Sequence, residues 1–195
     1  MRQARVAIAL GSNLGDRRAH LEYALGRLRE HVSDLTPSSI HETKAVANEP
    51  QPDFLNSAVV GVTGLGPREL LELLLEIERE RGRGRTHTSP PREPNGAPRS
   101  YAPRTLDLDL IFFGNDIVDE PGLEVPHPRF RERLFVLDPL NEIAADWMDP
   151  ITGMTVTELR ARAQARRPTT TSGACVAGSR AGARRNPLSP SSKIV

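Results

Sequence analysis

The segment TLDLDLIF at residues 105–112 restricts the possible folds more than any other part of the sequence. Residues two apart share one face of a β-strand, so Asp107 and Asp109 project to the same side. Aspartate is a poor strand former, and two carboxylates about 7 Å apart repel each other unless a cation lies between them. The segment therefore predicts a strand with one buried face, and its acidic face is either solvated or binds a divalent ion such as Mg²⁺. The buried face would consist of Leu106, Leu108, Leu110 and Phe112.

Strand and helix patterns alternate around this segment and predict an α+β domain. Residues 5–10 form an apolar strand, and Asp16 is placed to cap a helix whose apolar spacing continues to Val32. Strands are expected at residues 35–43 and 54–63, and they would pair in antiparallel fashion because no helix separates them. This order predicts helices packed on a mainly antiparallel sheet.

Three further helices complete the predicted pattern. One begins with proline at its first position, Pro67, and ends at Gly82. Another lies near residues 135–145, and the last starts at Val156 behind a capping-box sequence. A turn at residues 114–116 would send the chain back along the strand that contains Asp107 and Asp109, called the acidic strand below.

The composition indicates a chain that can build a core without disulfides. Of the 195 residues, 37% are hydrophobic, and the single cysteine excludes an internal disulfide framework. The early apolar run is too short to cross a bilayer or to form the core of a signal peptide. We therefore expect a cytoplasmic protein.

Charge divides the chain into two parts. Residues 1–158 contain all 25 acidic residues and carry a net charge of −7, whereas the remainder carries +8. Residues 166–195 lack apolar periodicity, so they cannot bury enough apolar surface to offset their ordering entropy. We expect a folded domain over residues 1–165 and a basic, low-complexity, disordered tail after it. We also expect a monomer with no nucleic-acid or membrane partner.

An arginine-rich segment precedes the acidic strand. Residues 83–103 have no apolar pattern, and loops beyond about 15 residues are uncommon unless they are functional or disordered. Arginine binds phosphate oxygens through its planar fork, and arginine together with a metal ion is a recurrent way to spread polyphosphate charge. Alternatively, these arginines are solvated or pair with acids of the preceding helix. The chain has no P-loop lysine motif, so a nucleotide site here would be built differently.

Several short motifs in a fixed order resemble one enzyme family. The motif PRTLDLD at residues 103–109 is similar to the signature of 6-hydroxymethyl-7,8-dihydropterin pyrophosphokinases. The resemblance spans about residues 5–160, and the order of several blocks is more specific than any one block. The further blocks are ALGSNLG at 9–15, QPDFLN at 51–56, IE at 77–78 with GRGR at 82–85, and VPHP at 125–128.

This resemblance implies a ferredoxin-like α/β sandwich and an enzyme of folate biosynthesis. Such enzymes transfer the β,γ-pyrophosphoryl group of ATP to the hydroxymethyl oxygen of the pterin and release AMP. The matching acids Asp107 and Asp109 would hold two Mg²⁺ ions. Arg83 and Arg104 match catalytic arginines on the phosphate side.

The resemblance also implies which residues bind each substrate. Phe54 and Phe135 match an aromatic pair that sandwiches the pterin ring, although on the sequence alone both could be ordinary core residues. The residues implied for ATP are Glu78, Arg83, Arg85, Arg99, Arg104, His127 and Arg133. Those implied for the pterin are Thr43, Val46, Phe54, Asn56, Tyr101, Asp107 and Phe135.

The chain departs from the family pattern at several positions. Leu75 stands where glutamine is usual, Tyr101 where tryptophan is usual, and Lys44 where proline is usual. Arg99 is one place out of register. These differences bear on substrate affinity, and on closure of the loop at 83–103 over the substrates, more than on reaction type. Two alternatives stay open: another Mg²⁺-dependent phosphotransferase or nuclease, and a non-enzymatic RNA-binding α+β module.

Overall fold

The computed structural model describes residues 3–45, 51–82 and 104–166. The strands are β1 (Ala4–Ser12), β2 (Val32–Pro37), β3 (His41–Thr43), β4 (Phe54–Thr63), β5 (Asp107–Phe113), β6 (Val118–Glu120) and β7 (Leu123–Val125). The helices are α1 (Arg17–Leu28), α2 (Pro67–Glu80), a short 3₁₀ helix (Phe130–Glu132), α3 (Leu134–Ala144) and α4 (Val156–Ala165). None of the helices in these ranges combines the length and apolar character that a membrane span requires.

The central sheet has the strand order β2-β4-β1-β5, with β3 paired to the first residues of β4. Every pairing in it is antiparallel. Helix α1 connects β1 to β2, and α2 connects β4 to β5. This strand order and alternation are those of a ferredoxin-like α/β sandwich, which confirms the predicted fold class.

Helices cover both faces of the sheet. One face, which includes Ile8 and Leu10, packs against the buried residues of α1 and α2. The opposite face, which includes Ala7 and Ala9, packs against α3 and α4. Burying each large apolar side chain contributes about 1.5–3 kcal/mol, so both clusters stabilise the packing of the helices on the sheet. β1 therefore lies between α1 and α2 on one face and α3 and α4 on the other.

A β-bulge in β5 changes which face its apolar residues occupy. Leu110 pairs with Ile8 of β1. The next pair is Phe112 with Ala7, which leaves Ile111 as an extra residue. Leu110 therefore packs toward α1 and α2 as predicted, whereas Phe112 lies in the opposite cluster. The prediction that Phe112 shares the leucine face is wrong, because the bulge shifts the alternation by one residue.

Local signals in the sequence located several element boundaries correctly. The Asp16 carboxylate accepts a hydrogen bond from the Ala19 N–H at 3.0 Å and caps α1. Pro67 begins α2, and Gly82 follows it with a φ of +85°, the left-handed conformation that glycine adopts most readily. The predicted capping box at Thr155 is present at the start of α4.

Two predicted boundaries and one predicted strand pairing were wrong, because contacts between residues distant in sequence decide them. Helix α1 ends at Leu28, and Val32 begins β2 because it pairs with Thr63 of β4. The single strand expected over residues 35–43 is divided into β2 and β3. After the turn at 114–116, β6 pairs with β7 instead of returning along β5.

Gly61 allows β2 to approach β4 closely and generates a prediction about stability. A Cβ atom at Gly61 would lie 2.5 Å from Cγ1 of Val32 and 2.7 Å from the carbonyl oxygen of Ser33. We expect Gly61→Ala to lower the free energy of unfolding by about 1–3 kcal/mol in urea denaturation, because the backbone of β2 must shift. Gly64→Ala is the matched control, since a Cβ there has no neighbour within 4 Å. Equal stability of the two variants would contradict the close approach.

Candidate functional site

Two rows of residues run across the middle of the sheet and end at the acidic strand. Gly11 of β1 lies opposite both Asn56 of β4 and Asp107 of β5. Two residues earlier on β1, Ala9 lies opposite Asp109. Because residues two apart share a face, the amide and the two carboxylates project from the same surface. The β1 residues in these two rows, Gly11 and Ala9, are small.

An open cleft lies over these rows because β1 carries no large side chain there. A Cβ atom on Gly11 would lie 3.4 Å from Oδ1 of Asn56 and 3.9 Å from Cδ1 of Phe54. A larger side chain at this position would therefore occupy the space between the neighbouring strands. The cleft has a volume of about 720 Å³, including the space open to solvent at its mouth.

The walls of the cleft come from separate segments of the chain. Thr43 lies on one side, and Phe54 at the start of β4 lies close to it. Arg133 and Phe135, at the start of α3, contribute the other wall. Both phenylalanines are partly exposed, so their rings are accessible to a flat ligand instead of being fully buried in the core.

Cationic side chains contact both carboxylates. Nη1 of Arg104 donates to Oδ1 of Asp107 at 2.5 Å. Nη1 of Arg133 donates to Oδ2 of Asp109 at 3.5 Å. Burial alone would lower the pKa of Arg104, but the charges of Asp107 and Asp109 outweigh it and raise that pKa above its usual value. Arg104 therefore stays protonated, and the negative charge of the acidic pair is partly neutralised.

His127 lies beside Asp109 as a neutral side chain. Burial and the positive charge of Arg133 lower the pKa of His127 to about 4. Its Nδ1 accepts a hydrogen bond from the Arg129 N–H at 3.2 Å, so the neutral ring carries its proton on Nε2. Nε2 lies 3.9 Å from Oδ2 of Asp109. The imidazole thus presents an uncharged N–H donor toward the acidic pair.

Glu78, which the resemblance assigns to the nucleotide, lies behind β5 and does not line the cleft. Its side chain is 1% exposed, and its Oε1 accepts a hydrogen bond from the Leu108 N–H at 2.8 Å. Leu108 lies between the two acidic residues of β5, so this bond holds the outer edge of the acidic strand. Because its side chain is buried, Glu78 does not belong to a solvated acidic face of α2.

Asn13 connects the start of the acidic strand to the segment that leads into β4. Its Oδ1 accepts from the Arg104 N–H at 2.7 Å, and its own N–H donates to the Arg104 carbonyl oxygen at 3.1 Å. Its Nδ2 donates to Oε1 of Gln51 and to the Pro52 carbonyl oxygen, both at 3.4 Å. The motif at residues 9–15 contained Asn13, but periodicity has no signal for contacts between residues 91 apart in sequence. The sequence alone therefore indicates no role for this side chain.

The acidic pair fits a hard divalent cation that takes most of its ligands from a substrate. Within residues 3–45, 51–82 and 104–166, no group of three or more His, Cys, Asp or Glu side chains could hold a metal ion. Mg²⁺ at phosphate-transfer sites is usually held by one or two carboxylates together with phosphate oxygens and water. Asp107 and Asp109 supply such a pair on one face of a strand.

The structure brings together most of the described residues that the sequence singled out. Those that line the cleft are Thr43, Phe54, Asn56, Asp107, Asp109, Arg133 and Phe135. Arg104 and His127 contact the acidic pair from beside it. Outside the described residues lie Val46, Arg83, Arg85, Arg99 and Tyr101, together with the loop at 83–103 and residues 167–195.

The fold and the site together define a class of protein. A ferredoxin-like sheet that presents paired carboxylates, arginines and aromatic rings around one cleft has the groups that a phosphotransferase of the α+β class needs. A family model described as 7,8-dihydro-6-hydroxymethylpterin-pyrophosphokinase matches residues 7–145. The chain belongs to this family.

Curated relatives agree with the family match. A Bacillus subtilis (strain 168) protein named 2-amino-4-hydroxy-6-hydroxymethyldihydropteridine pyrophosphokinase is 46% identical over 138 residues, which cover 70% of this chain and 75% of that protein. A Synechocystis protein of the same name is 38% identical over 154 residues, which cover 78% of this chain and 72% of that protein. Both matches cover more than two thirds of this chain and more than two thirds of the relative.

Solved structures agree with the fold. The wild-type Plasmodium falciparum HPPK-DHPS, crystallised with pterin and p-hydroxybenzoate, superposes with a TM-score of 0.62 at 14% sequence identity. The match covers 85% of this chain and 42% of that chain, so this chain spans less than half the length of the bifunctional protein. At this identity the similarity bears on the fold alone.

The hydrogen bonds of Asn13 generate a prediction about the acidic strand. We expect Asn13→Ala to lower the free energy of unfolding by about 1–3 kcal/mol, because the partly buried N–H of Arg104 loses its acceptor. The measurement is urea denaturation followed by circular dichroism. Asn141→Ala is the control, since Asn141 accepts one exposed hydrogen bond from Thr157 and its loss should cost no more than about 0.5 kcal/mol. A similar small loss in both variants would contradict the role of Asn13.

Proposed function

We propose that this chain transfers the β,γ-pyrophosphoryl group of ATP to the hydroxymethyl oxygen of 6-hydroxymethyl-7,8-dihydropterin and releases AMP, as a step of folate biosynthesis. One observation carries the proposal: Asp107 and Asp109 project from the acidic strand into a cleft that is bounded by two aromatic rings. Membership of the pyrophosphokinase family supplies the reaction for which such a cleft is suited.

The aromatic end of the cleft suits a flat heterocycle with polar edges. Phe54 and Phe135 both line the cleft, and rings of this kind stack on other aromatic systems. Nδ2 of Asn56 donates to Oγ1 of Thr43 at 2.8 Å, which leaves the amide oxygen over Gly11. That oxygen can accept a hydrogen bond from a ring N–H or an amino group of the pterin. Val46 and Tyr101 stay proposed pterin contacts from the resemblance.

The charged end of the cleft suits a triphosphate. Arg104 and Arg133 place two guanidinium groups beside the carboxylates, and guanidinium groups bind phosphate oxygens in a bidentate manner. The uncharged Nε2–H of His127 adds a hydrogen-bond donor beside the acidic pair. We propose Arg83, Arg85 and Arg99 as further ATP contacts and Glu78 as a support of the acidic strand.

Asp107 and Asp109 would hold Mg²⁺, and we propose two ions. When bound, these ions would neutralise charge on the triphosphate and make its β-phosphorus more electrophilic. In the reaction, the hydroxymethyl oxygen forms a bond to the β-phosphorus. The bond from the β-phosphorus to the oxygen that bridges to the α-phosphorus breaks, and AMP leaves. We propose that Asp107, which lines the cleft opposite Gly11, orients the hydroxyl group and accepts its proton.

The chain's own residues mainly align the two substrates. Phosphoryl-type transfer needs little covalent help from protein, so positioning and charge neutralisation dominate. We further propose a monomer that acts in the cytoplasm without a nucleic-acid partner. We also propose that residues 83–103 close over the bound substrates.

The decisive experiment follows AMP formation by the purified chain from ATP and Mg²⁺, with and without the reduced pterin alcohol. We expect AMP only when the pterin is present, together with the pterin diphosphate. A nuclease would act on nucleic acid without pterin. An RNA-binding module would bind RNA in a salt-sensitive manner and form no AMP. Either of those results would contradict the proposal.

The acidic pair generates a prediction about turnover. We expect Asp107→Asn and Asp109→Asn each to lower kcat by about 100-fold or more, because each removes a charge that stabilises the metal-bound triphosphate. Steady-state AMP formation and the thermal unfolding midpoint are measured for each variant. Asp119→Asn, on the exposed strand β6, is the control and should keep wild-type turnover. Wild-type turnover in both cleft variants would exclude the metal assignment.

The aromatic pair generates a prediction about affinity. We expect Phe135→Ala to raise KM for the pterin by about tenfold while KM for ATP changes little, because a stacking face is lost on one side of the ring. Phe135→Leu restores the apolar bulk without the π face and should recover part of the affinity. Pterin affinity that is unchanged in Phe135→Ala would show that this ring belongs to the core.

A further inference from the structure

One short segment carries much of the charged and aromatic wall of the cleft. Within residues 127–135 it supplies Arg133 and Phe135 to the wall and His127 beside the acidic pair, and α3 begins inside it. The affinity of the site therefore depends on how this segment is held against the sheet. Two contacts near its middle fix it, and one of them reaches a part of the chain beyond the family match, which ends at residue 145.

The first contact is between aromatic rings of the core. Phe130 is fully buried, and its ring meets that of Phe112 of β5 edge-on, with centroids 5.0 Å apart. The Phe130 carbonyl oxygen also accepts a hydrogen bond from the Arg133 N–H at 3.1 Å. The 3₁₀ helix is thereby anchored to the strand that carries the acidic pair.

The second contact is a two-pronged ion pair. Nε of Arg131 donates to Oδ2 of Asp149 at 2.6 Å, and Nη2 donates to Oδ1 at 2.7 Å. The Arg131 guanidinium also lies 4.8 Å from the centre of the Phe130 ring. A planar fork bonded to a carboxylate fixes both the distance and the orientation of the two groups.

Asp149 is itself held rigidly in the turn that leads to α4. Its side chain is completely buried, and Oδ2 accepts a further hydrogen bond from Oγ1 of Thr152 at 2.6 Å. Oδ1 accepts from the Ile151 N–H at 3.2 Å. Burial alone would raise the pKa of Asp149, but the hydrogen bonds from Arg131, Thr152 and Ile151 outweigh it and lower that pKa. The carboxylate therefore stays charged near neutral pH.

We propose that Asp149 is a positioning residue for the substrate cleft. Through Arg131 it holds the 3₁₀ helix, and so sets where Arg133 meets Asp109 and where Phe135 enters the cleft. Arg131 lies two residues before Arg133 and four before Phe135, so a shift at Arg131 displaces both. The turn before α4 thus contributes to substrate binding without touching a substrate. This inference rests on the proposed function, because the cleft residues it positions are those proposed to bind ATP and the pterin.

The alternative is that the ion pair only stabilises the fold. Breaking a buried pair by removing one partner is costly in any protein, so a loss of stability alone would not distinguish the two roles. Substrate affinity of the folded protein does distinguish them. A fold-stabilising pair changes the folded fraction, whereas a positioning pair changes the dissociation constants of the molecules that remain folded.

The experiment uses the full chain and the variants Asp149→Asn and Arg131→Lys. Asp149→Asn keeps the side-chain shape but removes the charge, and Arg131→Lys keeps the charge but removes the fork. Dissociation constants for the pterin and for a non-hydrolysable ATP analogue with Mg²⁺ are measured by calorimetry well below each unfolding midpoint. KM and kcat are measured in parallel. We expect both dissociation constants and both KM values to rise about tenfold, which is about 1.4 kcal/mol, with a smaller change in kcat.

Two control variants separate positioning from stability. Leu28→Ala removes a buried side chain from α1 on the other face of the sheet, so it lowers the unfolding midpoint without touching the 3₁₀ helix. Arg68→Gln removes an exposed ion pair to Glu120 and leaves the fork between Arg131 and Asp149 in place. Both controls should bind the two ligands within about twofold of the wild-type chain, a difference of about 0.4 kcal/mol.

Wild-type affinity in Asp149→Asn and Arg131→Lys would overturn the positioning role. If Asp149→Asn does not fold, the milder Arg131→Lys decides the outcome alone. The wild-type chain is assayed for pterin-dependent AMP formation in the same series. Failure of that assay would count against the proposed function, whereas an active wild type with unaffected variants would count against the positioning role only.

Discussion

The site depends on the register of β1 with its two neighbours. Antiparallel pairing on both sides of β1 places Asn56, Gly11 and Asp107 in one row. Small residues on the central strand leave a cleft, and the outer strands supply the polar groups on either side of it. A slip of one residue in either pairing would turn those side chains to the opposite face. The two core clusters oppose such a slip because each packs against its own pair of helices.

Charge around the acidic pair is balanced by residues from distant parts of the chain. Arg104 precedes β5 and contacts Asp107, whereas Arg133 comes from the start of α3 and contacts Asp109. Carboxylates that share one face of a strand are tolerated because these cations offset their repulsion. The same cations can bind phosphate oxygens, so the contacts that permit the acidic pair also prepare the cleft for a polyphosphate.

Much of the architecture could be predicted from local patterns, and the errors lie where non-local contacts decide. The Asp16 cap located the start of α1, and Pro67 and Gly82 located the start and the end of α2, because these signals depend on neighbouring residues only. Phe112 was assigned to the wrong face because a bulge interrupts the alternation of β5. Val32 was assigned to a helix although it pairs with β4. In the cleft, residues such as Asp107 and Phe54 were identified through motif order, whereas Asn13 was given no role.

The sequence by itself determined the α+β class, the acidic strand and the family, because these follow from short-range periodicity and from motifs in a fixed order. Tertiary structure alone decided that Glu78 supports β5 from behind and that Asp149 holds Arg131. Each of these contacts joins residues far apart along the chain or on different elements. A buried carboxylate is stable only beside its donors, and which donors those are is decided when the helices pack on the sheet.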